Sequence, residues 1–568
     1  MNKAAKDKVT LSVGRRIGRE RMPTMKQSLA ARDTRRAGAL FCTLLLCGAL
    51  LLVKLYTLAM YDNTSKQVLS GQYTRSVEVA SHTGFVYDRD GLLLSHRVKG
   101  AIALVNPAGS RDKNAVCEFL AAYSELPFAD LLSKLSTPEP FSLTLSSLPD
   151  TPAPRGVAVY VRYDESTDRL CRHLLGYRDA DGSGHGGIYE KYQALLGTKP
   201  AQLSYRYLAD ASGDMLNGDA FTVVNRGYTD RTGLVLTIDR DMQETLEDLC
   251  DRYLDMGAAV VCDLSDFSIA ALCSRPVYDS TDIAASLDSE RGEFLNRAFA
   301  RYTPGSVFKT VVAAAALETN PALYNFEYEC TGSTDVSGQV FHCHELSGHG
   351  VQTMKQAYAN SCNTYFIALA EQIGLAPICE TAERFGLGSA RALDGLYIKG
   401  ASLPDASQKY SPAYLANISF GQGDLLVSPM DMLAVFGACA TGRIRDFTLV
   451  RGVYRDEEMT YFAERVSKRV LSEYTVEKMR EMMRACVKIG TGWQAGARSV
   501  AVGGKTATAQ SGQFRDGEEI LHRWFAGVFP IDEPRYALVV LCDGNGENTA
   551  APAKIFSDFA EAMYAARP

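Results

Sequence analysis

The stretch Arg301-Tyr-Thr-Pro-Gly-Ser-Val-Phe-Lys-Thr310 constrains this chain most, because it runs directly into the Ala-rich Val311-Val-Ala-Ala-Ala-Ala-Leu317. An Ala-rich apolar run reads as a buried helix, and Pro304 and Gly305 punctuate the chain just before it. Ser306 is therefore expected on the first turn, with Lys309 three residues on and on the same face. A serine hydroxyl is a weak nucleophile until a base takes its proton. A lysine amine serves as that base when burial or a neighbouring cation lowers its pKa. The first helical turn also leaves backbone N–H groups free where an oxyanion would develop. Ser-x-x-Lys alone is a weak signal in a chain of 568 residues.

Two later stretches strengthen it. Ser361-Cys362-Asn363 begins 55 residues after Ser306, and Lys505-Thr506-Ala507-Thr508 a further 144 residues on. The first reads as a loop between helical segments, where Ser361 would relay a proton and Asn363 hold a substrate amide; both residue types also serve as ordinary helix caps. The second follows Gly503-Gly504 and reads as a strand, with Thr506 and Thr508 on one side. Two hydroxyls and an ammonium suit a substrate carboxylate. Gly504-Lys505-Thr506 mimics the tail of a phosphate-binding loop, but Ser499 stands where that loop requires glycine.

Charge is unevenly spread. Residues 1–36 carry eleven Lys or Arg against three acids, and Ala37 to Val53 then runs 17 residues without a charge. With Lys54 snorkelling, residues 37–61 are long enough to span a bilayer. A cleaved signal peptide usually has a shorter apolar core, so an uncleaved anchor is expected. The basic arm 1–36 would stay cytoplasmic and the chain from residue 62 onward would lie outside. A net charge of −6 gives no reason to expect a nucleic-acid partner. The 14 cysteines form no dense disulfide framework. Cys330 and Cys343, near His342, His344 and His349, invite a zinc reading, but their separations fit no standard finger. A loop hairpin, disulfide-closed or not, is the simpler expectation, and no metal or cofactor is expected.

Residues 62–230 read as a non-catalytic pedestal. Gly84–Gly91 predicts a hairpin, and Ile188 to Leu196 a short helix stopped by Gly197. Near Asp239 a capped helix is expected, with Met242, Leu246, Leu249 and Tyr253 on one face and Gly257 at its end. Ala258–Cys262 and Ile269–Cys273 predict a buried hairpin, Trp524–Phe529 and Tyr536–Leu541 two more strands, and Ala553–Ala566 a closing helix. Strands at both ends with helices between predict an α+β domain over 231–568, built on one antiparallel sheet.

The three motifs, in this order, are those of penicillin-binding proteins and class A β-lactamases. With Gly84–Gly91, Gly187–Gly197, Leu236-Thr-Ile-Asp239, Asn296-Arg297, Gly348-His-Gly350 and Ser419-Phe-Gly-Gln-Gly423, the chain resembles a class B penicillin-binding protein over most of residues 62–550. That resemblance implies a membrane-anchored peptidoglycan D,D-transpeptidase of the penicillin-binding fold, inhibited covalently by β-lactams. It implies Ser306 as nucleophile, Lys309 as base, Ser361, Asn363 and Lys505 completing the proton and binding network, Thr506 and Thr508 on the substrate carboxylate, and the backbone N–H groups of Ser306 and Thr508 as the oxyanion hole. The partners it implies are stem peptides, membrane lipid and a glycosyltransferase, since no glycosyltransferase-sized domain precedes residue 231. Two departures stand out. Cys362 occupies a position the family varies freely, and Ala507 stands where the family usually has glycine, so its methyl is expected to crowd bulky β-lactams. Rival readings are a D,D-carboxypeptidase or β-lactamase of the same fold, a drug-sensing receptor, or an inactive scaffold of the wall machinery. The anchor and pedestal argue against a secreted hydrolase, the short arm against a receptor, and the intact Ser306 and Lys309 against an inactive scaffold.

Overall fold

A computed structural model describes residues 25–61 and 74–565, apart from 166–169, 180, 198–199, 210–214, 216–220, 281, 456, 516 and 545–549. Most of the basic arm therefore lies outside the described residues. The chain divides into two compact units, Met1–Arg75 with Tyr207–Ala220, and Ser76–Arg206 with Phe221–Pro568. In the first, helix α1 (Met25–Tyr61) carries an apolar stretch from Arg32 to Leu58. At ~1.5 Å per residue that stretch is about 40 Å long, more than the ~30 Å hydrocarbon core of a bilayer.

In the second unit, the segment before residue 231 contains a three-stranded sheet. Its central strand, His96–Val105, lies between Phe141–Leu145 and Val157–Glu165. Helices Lys113–Tyr123 and Phe128–Ser136 close a small core with it around Val116, Leu120 and Leu131. The predicted hairpin at 84–91 forms as a tight one, with Tyr87 bridged antiparallel to Leu93 and the turn held by the Asp88 carboxylate accepting from the Asp90 and Leu92 N–H groups. Its first strand, Phe85–Tyr87, also pairs in parallel with Gly233–Leu236. The helix expected from Ile188 to Leu196 is two short pieces, Gly187–Lys191 and Gln193–Leu196, and Gly197 ends the second.

The catalytic-motif region is built on one five-stranded antiparallel sheet. Its strands are β1 (Gly257–Asp263), β2 (Ser268–Arg275), β3 (Gly503–Arg515), β4 (Glu518–Phe529) and β5 (Tyr536–Asp543), in the spatial order β2-β1-β5-β4-β3. Every residue of β1 and β2 is buried, which explains their continuous apolar sequences. One face of the sheet packs on α2 (Arg240–Tyr253) and the C-terminal helix, Ala551–Ala565; alternate residues on the other face enter the core that holds the motifs. α2 starts where the Asp239 carboxylate accepts from the Met242 N–H at 3.1 Å, but it stops at Tyr253, and Gly257 opens β1 rather than ending the helix.

The helices of the motif core follow their local signals. α3 (Lys309–Thr319) is preceded by a 3₁₀ turn, Gly305–Phe308. α4 (Met354–Ala359) begins in a Thr353–Gln356 capping box. α5 (Asn363–Ile373) follows after three residues, with Gly374 past its end. α6 (Pro429–Thr441) starts at a Ser428–Asp431 capping box and ends at Gly442. α7 (Glu473–Ile489) packs against α4 and β3.

Candidate active site

Ser306 lies on the 3₁₀ turn that leads into α3, so its environment is the first turn the sequence predicts. Two sets of contacts hold that turn. Before it, the Tyr302 and Val427 backbones exchange hydrogen bonds, and the Trp524 indole N–H donates to the Thr303 carbonyl at 3.0 Å. Beside it, the Gly305 N–H donates to the Gly421 carbonyl at 2.9 Å. Gly421 sits at φ +81°, and a Cβ there would lie 2.0 Å from the Gly305 carbonyl oxygen, so only glycine permits this approach. The Ser419–Gly423 segment is thus stitched to the serine turn.

Lys309 is fully buried behind Ser306. Its Nζ donates to the Asn363 Oδ1 and to the Ser361 carbonyl, both at 2.7 Å, and lies 3.4 Å from the Ser361 hydroxyl. Burial, then the charge of Lys505, push its pKa well below the ordinary lysine range. A neutral amine has two N–H groups, both taken by these close acceptors, which leaves its lone pair free to accept. Lys505 is also fully buried, donates to the Thr506 carbonyl at 3.0 Å, and is lowered by burial.

Ser361 stands between α4 and α5, and Asn363 opens α5. Ser361 adopts φ +55°, an uncommon conformation for a residue with a Cβ. The Asn363 side chain takes Lys309 with its oxygen and donates from its nitrogen to the His342 carbonyl at 3.2 Å. Both ends of this side chain, which the sequence reading gave to a substrate amide, have partners within the protein.

The third motif lies on β3, an edge strand paired only with β4. Thr506 and Thr508 alternate with Lys505 and Ala507, so the hydroxyls occupy one face and the ammonium the other. Thr506 shares a 2.7 Å hydrogen bond with Thr491, and Thr508 is exposed. Ala507, where crowding of bulky β-lactams is expected, lines the cleft and is buried, its methyl 3.4 Å from the position a Cβ on Gly305 would take.

Ser306, Ser361, Asn363, Thr506 and Thr508 line one cleft of about 580 Å³. Lys309 and Lys505 lie beneath its surface. A larger groove of about 810 Å³ runs along α7 past Arg480 and Arg484 and carries none of the motifs. Sequence reasoning missed Thr491, Gln494 and Arg523, which line the cleft together with Gln422 of the Ser419–Gly423 segment. Arg523 sits opposite Thr508 across the β3–β4 ladder. It stands directly before the apolar run Trp524–Phe529 that the sequence marks as a strand.

The fold defined by this sheet and cleft is that of solved D,D-transpeptidase domains. The D,D-transpeptidase domain of a peptidoglycan glycosyltransferase from Eggerthella lenta superposes with a TM-score of 0.61 at 21% identity, covering 85% of this chain and 98% of that one. Penicillin-binding protein 3 of Mycobacterium tuberculosis, solved with ampicillin, does so with a TM-score of 0.61 at 21% identity, covering 86% and 95%. The sequence profile of the penicillin binding protein transpeptidase domain matches residues 257–561, and the chain belongs to that family. Among its relatives, stage V sporulation protein D of Bacillus subtilis is 26% identical over 83% of this chain and 75% of its own length. The peptidoglycan D,D-transpeptidase FtsI of Escherichia coli is 25% identical over 65% of this chain and 60% of its own length.

Proposed function

We propose that this transpeptidase works through an acyl-enzyme on Ser306, cross-links peptidoglycan stem peptides and is inhibited by β-lactams at the same hydroxyl. The observation that carries the reading is Lys309: a buried, pKa-depressed amine one turn from Ser306, whose N–H groups are already bound by Asn363 and Ser361. Among the described residues none hydrogen-bonds the Ser306 hydroxyl, which faces the cleft; such contacts tighten when substrate arrives.

In the proposed cycle the Ser306 proton passes to the Lys309 amine as the oxygen attacks the carbonyl of the penultimate D-residue. The backbone N–H groups of Ser306 and Thr508 hold the oxyanion, and the Thr506 and Thr508 hydroxyls bind the terminal carboxylate. Ser361, within reach of Lys309, relays the proton to the leaving amine. A second stem-peptide amine then attacks the acyl-enzyme. A β-lactam acylates Ser306 in the same way but keeps its amine tethered. In this reading residues 62–230 form a pedestal, 231–568 the catalytic domain and α1 a single-pass anchor in membrane lipid. The basic arm is cytoplasmic, the catalytic domain lies outside, and a glycosyltransferase partner supplies the glycan strands.

Ser306→Ala is expected to abolish covalent labelling by fluorescent penicillin while circular dichroism stays unchanged, and mass spectrometry of the wild-type adduct should locate it on the peptide containing Ser306. A label that persists on another serine would overturn the assignment. Rapid release of the penicilloyl group would favour a hydrolase instead.

A further inference from the structure

We propose that His522 is a positioning residue for Ser306: it holds the serine turn through the Thr303 N–H, and does so only as the neutral imidazole. From Tyr302 to Gly305 the chain offers three backbone donors, because Pro304 has none. The Tyr302 N–H donates to the Val427 carbonyl at 2.8 Å, and the Gly305 N–H to the Gly421 carbonyl at 2.9 Å. The Thr303 N–H donates instead to the His522 Nδ1 at 3.2 Å. A backbone carbonyl does not titrate near neutral pH, whereas an imidazole nitrogen does. His522 is thus the switchable partner among the three.

The sheet builds this contact. His522 and Trp524 are two residues apart on β4 and face the same side. Trp524 takes the Thr303 carbonyl and His522 the Thr303 N–H, so both backbone polar groups of Thr303 are held from one strand. Across the ladder on β3, His522 pairs with Ala509, whose Cβ lies 2.9 Å from the position a Cβ on Gly305 would take. The ring therefore sits directly opposite the residue that abuts the serine turn. His522 and Thr303 are each only 6% exposed. A lost bond there leaves a buried N–H with no ready replacement from water.

An N–H aimed at Nδ1 requires the lone pair on that nitrogen, which puts the single ring proton of the neutral form on Nε2. Nε2 faces Asp543, its cross-strand partner on β5, 3.7 Å from Oδ1. The other oxygen of Asp543 accepts from the Arg297 Nε at 3.2 Å. Tyr302 closes the ring from the serine side, edge-on with centroids 5.0 Å apart; burial and then Asp543 raise its pKa, so it stays neutral. The adjacent Arg523 donates to the Gly544 carbonyl at 2.7 Å. Asp543, Arg297, Tyr302 and Arg523 are thus the charged and titratable groups around the ring. Burial lowers the His522 pKa, against the opposing pull of Asp543, so the second proton arrives only in acid. It turns Nδ1 into a donor facing a donor, and the cation is drawn toward Asp543. The serine turn then loses its Thr303 anchor. The effect on catalysis rests on the Ser306 acyl-enzyme reading; the loss of the Thr303 bond does not.

The test uses the full-length protein in detergent, over the pH range in which circular dichroism shows the fold intact. His522→Leu, which has no acceptor, should label with penicillin about 100-fold more slowly than wild type at pH 7, the size of effect a misplaced catalytic group produces. His522→Asn, whose oxygen stands where Nδ1 stood and does not titrate, should restore most of the rate. The ratio of the Asn variant's second-order acylation constant to that of wild type cancels the titration of Lys309. That ratio should rise in acid by up to about 100-fold, along a one-proton curve with its midpoint below the ordinary ~6.5 of histidine. A purely structural role would leave it constant. Trp524 gives a readout independent of labelling. In a Trp493→Phe background it is the only tryptophan, and its emission should titrate with the same midpoint when His522 is present and stay level in His522→Asn. Should the His522 variants fail to fold, Trp493→Phe alone suffices, since its emission and the acid limb of its acylation rate should share that midpoint. A flat ratio, or acid limbs at different midpoints, would overturn the positioning of Ser306. Emission that does not titrate would overturn the Thr303 contact as a switch. Emission that titrates while Ser306 is never labelled at any pH would instead count against the acyl-enzyme reading.

Discussion

Lys309 carries the most direct pH dependence. In the proposed cycle its neutral form is the base, and its pKa is lowered by burial and then by Lys505. The penicillin acylation rate is therefore expected to rise with pH through that lowered pKa and to level off well below ~10.4, where an unperturbed lysine titrates. A rate still climbing at pH 10 would remove Lys309 from the role. Ala507 gives a second test. Its methyl packs toward Gly305, so Ala507→Gly should slow bulky and small acyl donors by the same factor and cost about 1 kcal/mol of stability. A rate gain confined to bulky β-lactams, read from second-order acylation constants, would support the crowding argument made from sequence. The residue types of the site were legible because hydroxyl-and-amine chemistry demands them at fixed local spacings. The internal contacts of Asn363 were not, because the His342 carbonyl it donates to lies 21 residues away, beyond the strand Gly350–Gln352 and α4.

Among the elements, the serine turn and the Ser419–Gly423 segment act as one piece. Gly421→Ala places a methyl 2.0 Å from the Gly305 carbonyl oxygen and forces a Cβ into φ +81°. Backbone strain of this kind costs about 1–3 kcal/mol. The variant should melt several degrees lower and label with penicillin more slowly than its loss of stability explains; normal labelling by folded variant would show that the stitch does not position Ser306. The strands and helices themselves were readable from period and caps, as the buried β1–β2 hairpin and the Asp239 cap show. The order of strands was not: nothing local in β3 says that it takes the sheet edge, or that Phe85–Tyr87 joins Gly233–Leu236 in parallel.

For the whole molecule, the exposed leucines of α1 are concentrated between Leu40 and Leu58. Residues 62–568 expressed alone are expected to remain in the soluble fraction and to bind penicillin; a monodisperse fragment that still sediments with membranes would reveal another membrane contact. The sheet has a consequence for synthesis. Gly257 pairs with Cys542, 285 residues later in the chain. At ~5–20 residues per second of translation, β1 waits about 15–60 s for the strand that covers its edge. Through that interval an apolar hairpin, destined for burial on both faces, has only its own two strands. Maturation of the cleft is therefore a late, all-or-none event, set by the arrival of the last forty residues rather than by the motifs themselves. A nascent chain stalled before Tyr536 should carry Ser306, Lys309 and Lys505 and still take up no penicillin.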